Sequence, residues 1–502
     1  MERKSTSQFS YILRIGLPVL LLVLPACAPQ PQVTQNSTPV PSVTVAPPST
    51  SIPATLTPAP TDTQTSALSV EGPWLLVNTA QGLWAANPDG SGGTLLTASR
   101  ILIPGSLSNA VSSVGGYLAY LTTTDFSEPY GNYPNLKLNI LALPGREPMV
   151  SFPLTSPATE PAPQNPSDIM RAMVEHKSFA WSPDGKRLAY IGAAQGPSAD
   201  LYEYLLESGA TLRLTDGPDQ AYAPLWSPDG QWIAQTAAAG FGTGAGIVVT
   251  GFFAARADGS GVISLYDIPE HSGGEYGIGW LNAHTLVMQS WYITCGPSDL
   301  RLADLSQVKA DLVFEGCVSA AAVAPSRGSV LFAQSPETAM FNDNPQPGLF
   351  LITDAARQPR LISDADIQEI AWAEGIGSFL ARASDNRLYE ISPSGDIQLL
   401  AVEESHLPTV SPNGRYWAFD NSLYSDILPG VWVGEYGQEL NHIFTENVMH
   451  AQMLFSPAGD ALYFLDTIGN LYRAQAPDWI PALLAANLEP EVSNLSLAWV
   501  SK

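Results

Sequence analysis

The sequence predicts an all-β protein, a single β-propeller of four-stranded antiparallel blades. Three observations predict it. Trp-Ser-Pro-Asp-Gly occurs at 181–185 and again at 226–230, with an apolar run after each copy. Fainter copies follow at intervals of about 40–55 residues, the period of a stacked array built from four short strands per unit. A second turn signal, often Asp-Gly, lies in the other half of a unit and marks a second hairpin.

Residues 1–26 read as a targeting segment. Arg3, Lys4 and Arg14 give it a positive start, and 15–24 is an apolar core of signal-peptide length, too short to span a bilayer. Leu24-Pro25-Ala26-Cys27 resembles the bacterial lipobox. Cleavage before Cys27 and lipidation of that residue are expected, with ordinary secretion and a free thiol as the alternative. Residues 27–68 are rich in Pro, Thr and Ser, and Asp62 is their one charge. Such a composition cannot bury a core and is expected to act as a disordered tether, about 35 Å in root-mean-square reach.

Residues 69–502 carry the blades. Each first hairpin joins an aromatic or branched strand to another through a turn of the type I pattern, Ser first, Pro second and Gly fourth. The sharp copies are 179–190 and 224–235. Degenerate copies are 111–120, 279–288, 323–332, 371–381, 409–419 and 454–464. Second hairpins turn at Glu-Ser-Gly-Ala in 207–210, at Asp-Gly-Ser-Gly in 89–92 and 258–261, and at Ser-Pro-Ser-Gly in 392–395. The segment 155–177 is an insertion between blades, Pro-rich at first. A short helix is expected from Ser167, with Ile169, Met170, Met173 and Val174 inward. The last stretch, 494–502, reads as a lone first strand, and 74–97 as strands two to four. Together they make one blade, so the two ends of the folded part clasp the ring. The count is eight or nine blades.

The Trp-Ser-Pro-Asp-Gly hairpin followed by Leu-Tyr and Asp-Gly-Ser-Gly resembles the TolB-like, or PD40, repeat of WD40-like propellers, over nearly all of 73–502. The resemblance implies a propeller and protein–protein work at the cell envelope. The chain departs from TolB in having 28–68 where that protein has an α/β domain, which puts a role in the Tol system in doubt. The fold by itself hosts many activities.

The chain carries 22 Lys and Arg against 47 Asp and Glu, and removing 1–26 moves the net charge from −25 to −27. That excludes nucleic acid as a partner and leaves the lipid anchor as the membrane contact. With Cys27 assigned to lipid, Cys295 and Cys317 are the possible disulfide pair, in a compartment that permits one; two separate buried thiols are the alternative. The six His residues fall in no close ligand spacing, no Gly-x-Ser-x-Gly elbow occurs, and no cofactor or metal site is expected. Gly240–Gly246 lacks a following helix and reads as a flexible loop. Asp184 and Asp229 read as turn formers.

Successive turns of a blade alternate between the two faces of the disc. The tight turns share one face. The second-to-third connections share the other, and there five segments are long: 122–135, 237–246, 290–299, 335–348 and 421–430. The candidate binding face is Phe126, Tyr130, Tyr133, Trp291, Tyr292, Phe341, Asp343, Tyr424 and Asp426. Asp125, Glu128 and Asp299 lie in the same segments. Aromatics with carboxylates suit sugar rings or basic peptides. The leading expectation is a monomeric, lipid-anchored extracytoplasmic scaffold that binds a protein, peptide or glycan. The alternative is an extracellular carbohydrate-acting hydrolase or lyase using carboxylates near the central channel.

Overall fold

The computed structural model describes residues 67–502 except 98, 125, 127–132, 156–172, 175–176, 197, 243–245, 268–274, 293–295, 340–346, 402–405, 422–428 and 492–495. Nine antiparallel sheets follow one another along the chain, eight of four strands and one of three. They are the blades of a propeller. The closing blade runs Thr94–Leu95, Gly82–Ala86, Trp74–Thr79, Leu497–Val500 from rim to centre. Its innermost strand comes from the C-terminus and pairs Trp74↔Val500 through Val77↔Leu497. The expected clasp is therefore present, and the blade count is nine.

The second blade departs from the four-strand expectation. Tyr117–Thr122, Lys137–Ala142 and Val150–Pro153 form its sheet. A one-turn helix, Leu107–Ala110, and two isolated bridges, Leu102↔Leu121 and Val111↔Leu118, stand where an inner strand would lie. This is the copy that lost Pro-Asp from its turn, at 111–120. In the 155–177 insertion, Met173 and Val174 are helical and packed on the core. Ile169 and Met170 lie outside the described residues.

The repeated turn is built the same way in the third, fourth and eighth blades. In the third blade, Gly185 N–H donates to Ser182 O at 2.8 Å, and Ser182 Oγ accepts from Arg187 N at 3.0 Å. Asp184 Oδ1 accepts from Lys186 N at 3.1 Å. Ser227 and Asp229 repeat the set, as do Ser411 and Asn413; at Ser456 the Oγ accepts from Ala461 N and donates to Asp460, four residues on, and Ala458 stands where the Asp would be. The Gly closes the turn in the left-handed region, at φ +66° in both Gly185 and Gly230, which L side chains avoid. The motif recurs because each residue satisfies a backbone group that the reversal would leave unpaired.

Trp before the turn ties blade to blade. The indole of Trp226 donates to Ala180 O at 2.9 Å, Trp181 to Ala110 O at 2.8 Å, and Trp499 to Phe455 O at 2.8 Å. In the fifth blade the inner strand slips register between Gly277 and Gly279, and the buried Trp280 N–H finds no acceptor. The core lies between sheets. Middle strands such as Trp74–Thr79, Ser329–Gln334 and Ala461–Asp466 are buried along their whole length, whereas in rim strands such as Ile480–Ala485 no residue is buried. A middle strand has a neighbouring blade on each side and reads as a continuous apolar run.

Candidate functional site

The two faces differ in construction. On the tight-turn face, neighbouring blades are stitched turn to turn. Ser112 Oγ donates to Gly185 O at 2.7 Å, Arg187 Nη2 to Gly230 O at 2.7 Å, and Asn413 Nδ2 to Ala458 O at 2.8 Å. Asn282 Nδ2 donates to Asp354 Oδ1 at 2.7 Å, and Tyr463 OH to Pro88 O at 2.7 Å. Arg187 also pairs with Glu203 at 3.3 Å and lies 4.6 Å from the Trp226 ring centroid. Burial raises the Glu203 carboxyl above the usual range, with Arg187 opposing. Asp184 and Asp229 serve the turns, as expected of turn formers.

The other face carries the long connections, and two of the five are strand. The second and third strands of the fourth blade, Trp232–Gly242 and Gly246–Arg256, pair as far as Gly242↔Gly246. Gly240–Gly242 and Gly246 are thus strand, where a flexible loop was expected. The Gly residues weaken a strand, and the branched run 247–249 on the partner strand favours pairing. In the fifth blade Thr285–Tyr292 and Gly296–Asp304 pair as far as Tyr292↔Gly296. Trp291 and Tyr292 therefore sit at the end of a strand on this face.

The remaining candidates fall out as follows. Phe126 lies under the Arg100 guanidinium, 5.4 Å from its ring centroid. Arg100 in turn pairs with Glu491 at 2.7 Å. Tyr133 is buried in the core cluster and packs its own connection, whose base is held by Thr123 Oγ1 donating to Pro134 O at 2.8 Å. Tyr130, Phe341, Asp343, Tyr424, Asp426, Asp125, Glu128, Cys27 and Cys295 lie outside the described residues. Cys317 is disulfide-bonded and buried.

Several carboxylates of this face hold strands in place. Asp299 accepts from Gly316 N at 2.7 Å, which fixes the end of the rim strand against the hairpin. Gln334 Nε2 donates to Cys317 O at 3.0 Å, joining the fifth blade to the sixth. Asp200 is buried and accepts from Arg213 at 2.6 Å, with Ser198 and Thr215 on its remaining lone pairs. Glu369 pairs with Arg382. Among the described residues no group of three His, Cys, Asp or Glu could hold a metal, and no helix is long and apolar enough to cross a membrane.

Sequence reasoning missed Arg100 with Glu491, which are 391 residues apart. It also missed Asp216 and Asp219 at the foot of the fourth-blade hairpin. The signal for the second pair was in hand. Between Arg213 and Arg301 one Lys or Arg, Arg256, stands against eight carboxylates.

No family model matches the chain. An uncharacterized peptidase of Bacillus subtilis is 47% identical over 62 residues, 12% of this chain and 9% of that protein. An uncharacterized protein of Agrobacterium fabrum is 43% identical over 53 residues, 11% of this chain and 18% of that one. The matches thus span a small part of either relative. Among solved structures, dipeptidyl peptidase 4 of Porphyromonas gingivalis is similar at TM-score 0.48 and 11% identity, over 77% of this chain and 60% of that one. A manganese complex of oligogalacturonate lyase is similar at 0.36 and 15% identity, over 60% and 90%. A putative TolB of Agrobacterium tumefaciens is similar at 0.27 and 20% identity, over 50% and 81%. Independently of these likenesses, the strand pairing of the chain itself makes it a nine-bladed propeller closed by its C-terminal strand.

Proposed function

We propose that this protein is a binding scaffold, a lipid-anchored extracytoplasmic propeller that presents its long-connection face to a protein, peptide or glycan. The observation that carries the reading is the asymmetry of the disc. One face is stitched flat by short turns, and the other bears the extended hairpins of the fourth and fifth blades with the remaining long connections. Binding residues collect on such projections from a rigid frame. The route of the chain supports the same orientation. Ser69 N donates to Asn87 Oδ1 at 2.8 Å and the Trp74 indole to Ser69 O at 2.7 Å, so the chain enters the ring on the tight-turn face.

Capture of partners from envelope extract by the detergent-solubilised full chain tests the proposal. Trp291→Ala with Tyr292→Ala is expected to weaken capture and leave the melting temperature nearly unchanged. Capture that ignores this change and is lost on altering the tight turns places the site on the other face. Turnover of a glycan or peptide by the purified chain replaces the scaffold reading with an enzymatic one.

A further inference from the structure

The second and third strands of the fourth blade outrun their neighbours. The inner strand accompanies them only to Gln220↔Ala238. Beyond it, Ala239 is bulged and Gly240–Gly242 pairs with the third strand on one side, and on the other no strand joins this stretch among the described residues. Two register shifts, between Ala237 and Ala238 and between Ala238 and Gly240, lie where the ribbon leaves the blade. Bulges at such points re-aim a strand.

An open edge presents unpaired N–H and C=O groups to any extended chain, and proteins commonly blunt it with Lys, Pro or inward charge. This edge reads Ala-Gly-Phe-Gly, and no charged residue or proline occurs from Trp232 to Ala255. Its surroundings are acidic. Arg256 lies on the tight-turn side with its guanidinium 4.2 Å from the Trp232 ring centroid. Asp216 is exposed, and Asp219 is half-buried and accepts from Thr250 Oγ1 at 2.8 Å. Arg213 is engaged by Asp200 at 2.6 Å and Asp216 at 2.7 Å.

We propose that the Ala239–Gly242 edge receives an extended segment of a partner protein, which adds to the ribbon as a strand and carries basic residues beside its pairing stretch. The inference rests on the reading of the long-connection face as the binding face. Main-chain pairing supplies affinity in such additions, and the carboxylates at the foot of the ribbon select the sign of the flanks. The same carboxylates disfavour an anionic bilayer as the occupant.

The test uses the full chain in detergent and a fluorescent peptide of alternating Thr and Val flanked by two Lys at each end. Two analogues control it, one flanked by Glu and one N-methylated at alternate residues. At low salt the Lys-flanked peptide is expected to bind at least about tenfold tighter than either analogue. Its binding slows hydrogen exchange at 239–242. Asp216→Asn with Asp219→Asn leaves the edge intact and lowers affinity for the Lys-flanked peptide by about threefold or more. Equal binding of the N-methylated peptide shows charge attraction without strand addition and overturns the proposal. If the peptide fails while Trp291→Ala with Tyr292→Ala still weakens native capture, the edge assignment falls and the face assignment stands.

Discussion

Gly230→Ala isolates what the turn-to-turn stitching contributes, provided it is read beside Gly437→Ala. Both glycines hold positive φ, +66° and +71°. An L residue there costs about 1–2 kcal/mol whatever the space around it. A Cβ on Gly437 meets nothing within 4 Å, so that variant should lose only this amount. A Cβ on Gly230 falls 2.7 Å from Arg187 Nη2, the atom that donates to Gly230 O. Arg187 must move, and its bond to that carbonyl goes with it. A hydrogen bond to a charged group contributes about 1.5–3 kcal/mol, so Gly230→Ala should cost about 3–5 kcal/mol in all. Urea unfolding followed by tryptophan fluorescence reads the difference as a shift in midpoint at constant slope. Equal losses in the two variants would show that the Arg187 bridge contributes nothing to stability.

Three further outcomes are expected. Arg187→Gln removes the cation that opposes the burial-raised shift of Glu203. A carboxyl raised in the fold contributes stability below its unfolded value, and this is lost as pH rises through the folded one. The destabilisation by Arg187→Gln is therefore larger at pH 7.5 than near pH 5 in urea titrations, and a pH-independent loss refutes the pairing. Deleting 494–502 removes Leu497 and Val500, both wholly buried, and the Trp499 bond to Phe455 O. The cost is about 5 kcal/mol or more, and an unchanged melting temperature would contradict ring closure. Cys27→Ala should release the protein from membranes or leave its leader uncleaved, and unchanged detergent partitioning counts against lipidation.

The blades were legible because their signals are local. Ser182, Asp184 and Gly185 each satisfy a need of one turn, so the turn appears in the residues themselves. The C-terminal strand was legible by subtraction, since Leu497–Val500 had no partner nearby in sequence. Where local signals fail, so did the reading. The inner strand of the second blade lacks the turn that announces it, and a short helix takes its place. The fourth-blade hairpin was hidden because Gly-rich sequence suits loops and close pairing alike, and register alone distinguishes them. Tyr133 was read as presented to solvent, yet it fills the base of its own connection, a choice that depends on residues from other blades. Pairs such as Arg100 with Glu491 depend on ring closure and leave no trace in spacing.

The most direct measurement of the central claim is a hydrogen-exchange footprint of the full chain with a captured partner bound. The account predicts slowed exchange at 237–242, 246–250 and 288–292, with 182–187 and 227–232 unchanged. Protection of the tight turns, with the hairpins of the fourth and fifth blades exchanging as they do alone, would contradict it.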